Sequence, residues 1–260
     1  MEIKNKHVFI TGTDTGVGKS IFTAFLALSF LNEGKKVAVS KPVQTGFEKD
    51  TDFLARLTDN KIPIFNTYSF KLPAAPLVAA KNENKNIDVK KIISDIRKLE
   101  KEYDHVIVEG IGGVAAPITD CVIARSKATK QSHNVKQSGD CFVGTDVPPR
   151  NDVYVVADLI KDLNYPLIIV ARPSLGTINH TVLAIEYAKQ KDLNILGFVI
   201  SGYDEKTNDP ALKTAPDMIS GITGVQCLMK LPVIEKLDYD SLAASVGSLS
   251  SITPNCLANV

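Results

Sequence analysis

Gly12-Thr13-Asp14-Thr15-Gly16-Val17-Gly18-Lys19-Ser20 follows the apolar run His7-Val8-Phe9-Ile10 and precedes the helical pattern opened by Ile21-Phe22-Thr23-Ala24-Phe25-Leu26. Strand, glycine-rich turn and helix in that order are the ingredients of a phosphate-cradling loop. Glycines let backbone N–H groups point at phosphate oxygens with no Cβ in the way. In such a loop Lys19 reaches the terminal phosphates and the Ser20 hydroxyl is placed to ligate magnesium. Five residues separate Gly12 from Gly18, one more than in the common G-x-x-x-x-G-K-[S/T] pattern.

Outward from this loop, β-branched apolar runs alternate with helical patterns. The expected strands are His7–Thr11, Val37–Lys41, His105–Glu109, Leu167–Ala171, Ile195–Ser201 and Cys227–Leu231. The expected helices are Lys19–Asn32, Val89–Lys101, Tyr154–Leu163, Ile178–Lys191 and Pro210–Ser220. Near-continuous runs such as Leu167-Ile168-Ile169-Val170 read as strands buried on both faces of a parallel sheet. The expected fold is therefore α/β, a doubly wound and mostly parallel sheet of the P-loop NTPase type, with its ligand site at the carboxyl ends of the strands.

With 260 residues, the chain is long enough for one large core, and a single domain over 1–240 followed by a tail at 241–260 is expected. Thirty basic residues against 29 acidic ones give no bulk electrostatic case for nucleic acid or an anionic membrane. No apolar segment approaches the ~20 residues of a membrane-spanning helix. Met1-Glu2-Ile3-Lys4-Asn5-Lys6 runs straight into a strand, leaving no room for a signal peptide. The four cysteines form no CxxC pair, so a reduced cytoplasmic setting is expected.

One stretch breaks the alternation. About 121–152 is polar, aperiodic and far longer than a usual connection, and reads as a disordered surface insertion. It holds five Lys/Arg and three Asp, too sparse a charge for a nucleic-acid patch. Its Cys121, His133 and Cys141 fit no zinc spacing.

Three further constellations end strands or open a helix. Lys41-Pro42-Val43-Gln44-Thr45-Gly46 is either a plain strand end or a second cation and hydroxyl beside the phosphate loop. In Val106-Ile107-Val108-Glu109-Gly110-Ile111-Gly112-Gly113 an acid ends a buried strand, which is costly unless a metal or cation meets it. Gly112 and its neighbours allow a substrate close to the backbone. Leu175-Gly176-Thr177-Ile178-Asn179-His180 opens a helix whose N-terminus is a ready anion site, with His180 assigned no chemistry. Asp52 is open between a helix first-turn acid and a second carboxylate for the metal.

With these four motifs in this order, the chain resembles the dethiobiotin synthetase family over most of residues 5–235 apart from the insertion. The resemblance implies an ATP-dependent ring closure in biotin synthesis, acting on 7,8-diaminopelargonic acid and carbon dioxide. One amine becomes a carbamate, ATP phosphorylates it, and the second amine closes the ureido ring. It implies Lys19 and Lys41 as catalytic residues, and Ser20, Asp52 and Glu109 as magnesium ligands. It assigns the nucleotide to Gly12, Thr13, Asp14, Thr15, Gly16, Val17, Gly18, Lys19, Ser20, Ser201 and Pro232. It assigns the substrate to Thr15, Lys41, Thr45, Gly112, Gly176, Thr177, Ile178 and Asn179, the last four reaching it from the other subunit of a homodimer. Gly16 stands where some members carry a glutamate, and Ser201 where an asparagine commonly reads the adenine. The alternatives are a dimeric nucleotide switch of the same superfamily, whose early loop lysine is replaced here by Thr13-Asp14-Thr15, and a member that lost activity through the insertion.

Overall fold

The computed structural model describes residues 6–120 and 153–249. Along the chain these form β1 (His7–Gly12), α1 (Lys19–Asn32), β2 (Val37–Thr45), α2 (Asp50–Leu57), β3 (Ile64–Phe70), α3 (Pro76–Asn82) and α4 (Val89–Leu99). Then come β4 (His105–Gly113), β5 (Pro117–Asp120), β6 (Val153–Val155), α5 (Val156–Leu163), β7 (Leu167–Ala171) and α6 (Thr177–Gln190). The last elements are β8 (Ile195–Tyr203), α7 (Pro210–Thr223), β9 (Cys227–Pro232) and α8 (Tyr239–Leu249).

Seven strands make one sheet in the order β3-β2-β4-β1-β7-β8-β9, and every ladder in it is parallel. Successive residues of the central strands point to opposite faces, and both faces are covered. Phe9, Val108, Ile169 and Phe198 enter one core with residues of α3 to α7, while Ile10, Ile107, Ile168 and Val199 enter the other with α1, α2 and α8. That double burial is why these strands read as continuous apolar runs rather than alternating ones. The expected doubly wound α/β fold is the one observed.

Helix α1 is buried on nearly every side, because it lies between the sheet and helices α2 and α8. Here the expected tail at 241–260 needs correction. Tyr239–Leu249 is a helix whose Leu242 and Val246 are 0% and 2% exposed against the α1 core, so the domain runs past residue 240. Small residues between those two positions hid the apolar stripe, which recurs every four residues.

The helix expected from Tyr154 begins at Val156, because Val153–Val155 pair with β5 in an antiparallel ribbon. Asp120 and Val153 are partners across that ribbon. The stretch 121–152, with Cys121, His133 and Cys141, lies outside the described residues. Among the described residues no helix is long and apolar enough to cross a membrane.

Candidate functional site

The winding order places β1 between β4 and β7, so the chain leaves β1 in one direction and later returns on its other side. In such sheets the crevice lies beyond the carboxyl ends of the strands at this reversal. The glycine-rich loop sits there. A Cβ on Gly12 would fall 2.8 Å from the Asp14 carbonyl and 3.0 Å from Lys19 Nζ, so only glycine fits. Gly18 caps α1 with φ +94° and no side-chain hydrogen bond, which leaves first-turn N–H groups for a ligand. The Thr13 amide donates to the Val170 carbonyl at 2.9 Å and ties the loop to β7.

Lys19 is 7% exposed and folds back to donate to the Asp14 carbonyl at 2.8 Å. Burial, with the Lys41 ammonium nearby, lowers its pKa to about 8. Lys41, 1% exposed, has three partners: Glu109 Oε1 at 2.8 Å, Asp50 Oδ2 at 2.6 Å and the Gly110 carbonyl at 3.0 Å. Burial alone lowers its pKa, but the Glu109 and Asp50 carboxylates outweigh that and hold it above the ordinary lysine value. Ser20 Oγ donates to the same Glu109 oxygen at 2.9 Å. The second Glu109 oxygen, Oε2, is buried with no hydrogen-bond partner.

These groups line a cavity of about 700 Å³. Its polar wall includes Asp14, Thr15, Lys19, Ser20, Lys41, Thr45, Asp50 and Glu109, and Gly112 closes its edge with φ +62°. Phe53, Ile111, Ala116 and the stretch from Pro73 to Pro76 supply its apolar lining. Cations, hard oxygens and hydrocarbon lining one cavity suit an amphipathic anion bound next to a polyphosphate.

The structure does not bring Asp52 to this cavity. Asp52 is exposed and lines a separate polar cavity with Gln44, Lys49 and Thr51, behind the site. Asp50, in the first turn of the same helix, faces Lys41 instead. Residues two apart on an α-helix point about 200° from each other, so only one of the pair faces the site. Sequence reasoning missed Asp50 because nothing local sets the phase of α2.

Gly16 has φ +73°, a conformation that strains any side chain, which fits glycine at this position. Ser201, 7% exposed, is packed beneath the loop: a Cβ on Gly18 would fall 2.3 Å from its Oγ. Pro232 ends the neighbouring strand β9, and neither residue lines the cavity. Gly176, Thr177, Ile178 and Asn179 open α6 away from it, with Gly176 and Asn179 exposed and Thr177 buried. His180 lines a second cavity of about 530 Å³ with Thr13 and Gly113.

A family model described as an AAA domain matches residues 6–126 and 140–241, leaving unmatched a gap at 127–139 that is narrower than the expected insertion. The chain is 34% identical over 245 residues to the ATP-dependent dethiobiotin synthetase of Thermodesulfovibrio yellowstonii, covering 90% of this chain and 91% of that one. It is 36% identical over 242 residues to the ATP-dependent dethiobiotin synthetase of Bacillus licheniformis, covering 88% and 87%. Among solved structures, a ParA family ATPase from Chlorobium tepidum superposes with a TM-score of 0.53 at 15% identity, covering 97% of this chain and 95% of that one. The MinC–MinD cell division complex of Aquifex aeolicus gives 0.52 at 12% identity, covering 95% and 96%. At that identity these two structures speak for the fold alone.

Proposed function

The chain belongs to the ATP-dependent dethiobiotin synthetase family, and we propose that it closes the ureido ring where Lys19 and Lys41 converge. The observation that carries this reading is two buried lysines in one cavity, one from the phosphate loop and one from the middle of β2. Lys19 alone meets the ordinary need of a phosphate loop. A second lysine suits an anionic acceptor brought against the triphosphate, where charge repulsion otherwise raises the barrier.

Ring closure takes three steps. Carbon dioxide adds to one amine of 7,8-diaminopelargonic acid, which loses a proton and becomes a carbamate. A carbamate oxygen attacks the γ-phosphorus and ADP leaves. The second amine then attacks the carbonyl carbon, phosphate leaves, and a proton is lost. Lys19 spans the γ-phosphate and the carbamate, and Lys41 faces the acceptor. Thr15, Thr45 and Gly112 border the same cavity and hold the reacting end of the diamine, so proximity supplies much of the rate. The Phe53, Ile111 and Ala116 lining excludes water from an anhydride that hydrolysis would waste.

The site also fits magnesium. Glu109 Oε2 is a buried acceptor without a donor, and Ser20, on the other oxygen of that carboxylate, and Asp50, on the shared Lys41, supply further hard oxygens to the same cavity. Magnesium held by so few side chains would keep phosphate and water oxygens as its other ligands. When bound, magnesium would neutralise charge on the β- and γ-phosphates.

Exposure of Gly176 and Asn179 supports a homodimer in which the α6 N-terminus of one subunit holds the carboxylate of the substrate in the other. The antiparallel partnership of Asp120 and Val153 supports a single catalytic domain with 121–152 inserted between two neighbouring ends. The cytoplasm, where ATP is available, is the proposed compartment.

Dethiobiotin formation with ATP, magnesium, bicarbonate and the diamine tests the reading. Equal yields of dethiobiotin and ADP are expected, with no ATP consumption when either co-substrate is omitted. Substrate-independent ATP turnover points to a nucleotide switch and overturns it, as does the lack of any turnover.

A further inference from the structure

Helix α2 begins without the cap its first turn needs. Its N-cap position is held by Lys49, which makes no side-chain hydrogen bond to the helix. First-turn amides have no partner within the helix, and Ser, Thr, Asp or Asn at the N-cap usually accepts from the second or third of them. Here the second amide, that of Thr51, donates at 3.3 Å to Oε1 of Gln44, seven residues earlier. Gln44 is 4% exposed on β2, and its Nε2 donates to Ser69 Oγ of β3 at 3.4 Å. The amide is thus held from both ends between two strands and a helix.

We propose that Gln44 is a positioning residue: it serves as the N-cap of α2 from the strand that carries Lys41, and so keeps Asp50 on the Lys41 ammonium. Asp50 is the first residue of α2, and its side chain is 43% exposed, so burial does not hold it in place. Its 2.6 Å contact with Lys41 depends on the first turn staying wound. Gln44 lies three residues after Lys41 on β2, so one strand fixes both partners of the ion pair. Lys41 keeps Glu109 and the Gly110 carbonyl when α2 frays, so the fold survives the loss and the site geometry does not.

The inference rests on the ring-closure reading for its catalytic consequence and on geometry alone for its structural one. In the full-length chain, Gln44→Ala is expected to lower kcat about tenfold, the scale of losing one helix cap. In an Asp50→Asn background the same change is expected to cost almost nothing further, because Gln44 acts through Asp50. Gln44→Glu, which keeps the acceptor, is expected to restore most of the rate. Gln44→Met, which keeps the shape without the acceptor, repeats the cycle if the alanine variant melts early. Hydrogen exchange at the Thr51 amide is expected to accelerate in Gln44→Ala whether or not the wild type makes dethiobiotin. An inactive wild type with accelerated exchange would therefore overturn the ring-closure reading and keep the cap. Full multiplicative losses in the Asp50→Asn background, or unchanged Thr51 exchange, overturn the positioning role.

Discussion

Lys41 and Glu109 stand where the next rung of the β2–β4 ladder would fall. The register runs from Val37 opposite His105 to Ser40 opposite Val108, and the side chains of the following residues meet at 2.8 Å, 1% and 0% exposed. A buried pair of this kind is costly to break: without Lys41 the buried Glu109 carboxylate loses its ion-pair partner, and without Glu109 the Lys41 ammonium keeps only the partly exposed Asp50. Lys41→Gln and Glu109→Gln are each expected to destabilise the protein by about 3–5 kcal/mol in urea titrations. The double variant is expected to lose less than the sum, since neither charge is then left alone. Both single variants are expected to lose dethiobiotin formation, and simple additivity in stability would show that the pair is not coupled.

Asp50 and Asp52 separate by function in the same helix. Asp50→Asn removes a carboxylate that touches Lys41 and faces the phosphate side, and a fall of about a hundredfold in kcat/KM is expected, on the scale of a lost charge-assisted contact in the site. Asp52→Asn changes an exposed group behind the site, and steady-state rates within about twofold of wild type are expected. The reverse ranking would mean that α2 turns by half a revolution when the ligands bind.

How far the sequence carries the fold shows in these same elements. Strands such as Leu167–Ala171 were legible because burial on both faces leaves no polar residue to interrupt the run. Strand β3 was not: Asn66, Thr67 and Ser69 are tolerated because it is an edge strand, with one side and much of its surface open. Strand β2 continues past its expected end at Lys41 because Val43 to Thr45 pair with β3, a partner that sequence could not supply. That Lys19, Lys41, Ser20 and Glu109 line one cavity could be expected, because the glycine-rich loop opens α1 and the parallel strands β2 and β4 run toward the same edge of the sheet. The choice of Asp50 over Asp52 could not, since the phase of a short helix depends on where Gln44 receives it.

Gly18 and Ser201 must be considered together. Gly18→Ala meets a backbone at φ +94° and a Cβ position 2.3 Å from Ser201 Oγ and 2.8 Å from Ser201 Cβ. Loss of nucleotide binding is expected, measured by calorimetry with ATP and magnesium. Ser201→Ala removes the Oγ contact but leaves Cβ at 2.8 Å, too close for any Cβ, and does not rescue the variant. Ser201→Gly clears both contacts and is expected to restore part of the stability, leaving about 1–2 kcal/mol of backbone strain. Equal recovery by both changes would place the strain elsewhere.

Lys19 gives the site a pH dependence whose sign follows from its burial. Its pKa is lowered to about 8 by burial first and by Lys41 second. The folded protein therefore disfavours the ammonium, and stability rises as pH climbs from about 8 toward the unfolded value of 10.5. Phosphate binding needs that same ammonium, so ATP affinity is expected to fall as pH rises above about 8. Calorimetry in buffers of different ionisation enthalpy is expected to show proton uptake on binding near pH 8.5. Affinity that stays level from pH 7 to 9.5 would show that Lys19 keeps its charge throughout.

The helix at Tyr239–Leu249 ties the far end of the chain to the phosphate loop. Leu242, 0% exposed, packs in the same core as Phe22, Phe25 and Leu26 of α1, the helix that begins at Lys19. Leu242→Ala is expected to cost about 2–5 kcal/mol, the usual range for a buried leucine truncated in a close-packed core. Because α1 carries the loop, the loss is expected to raise the KM for ATP more than it lowers kcat. Leu237→Ala, at a residue 43% exposed just before the helix, serves as the control and is expected to change unfolding by less than about 0.5 kcal/mol. If Leu242→Ala melts like wild type, α8 is an appendage and the domain ends near residue 240 after all.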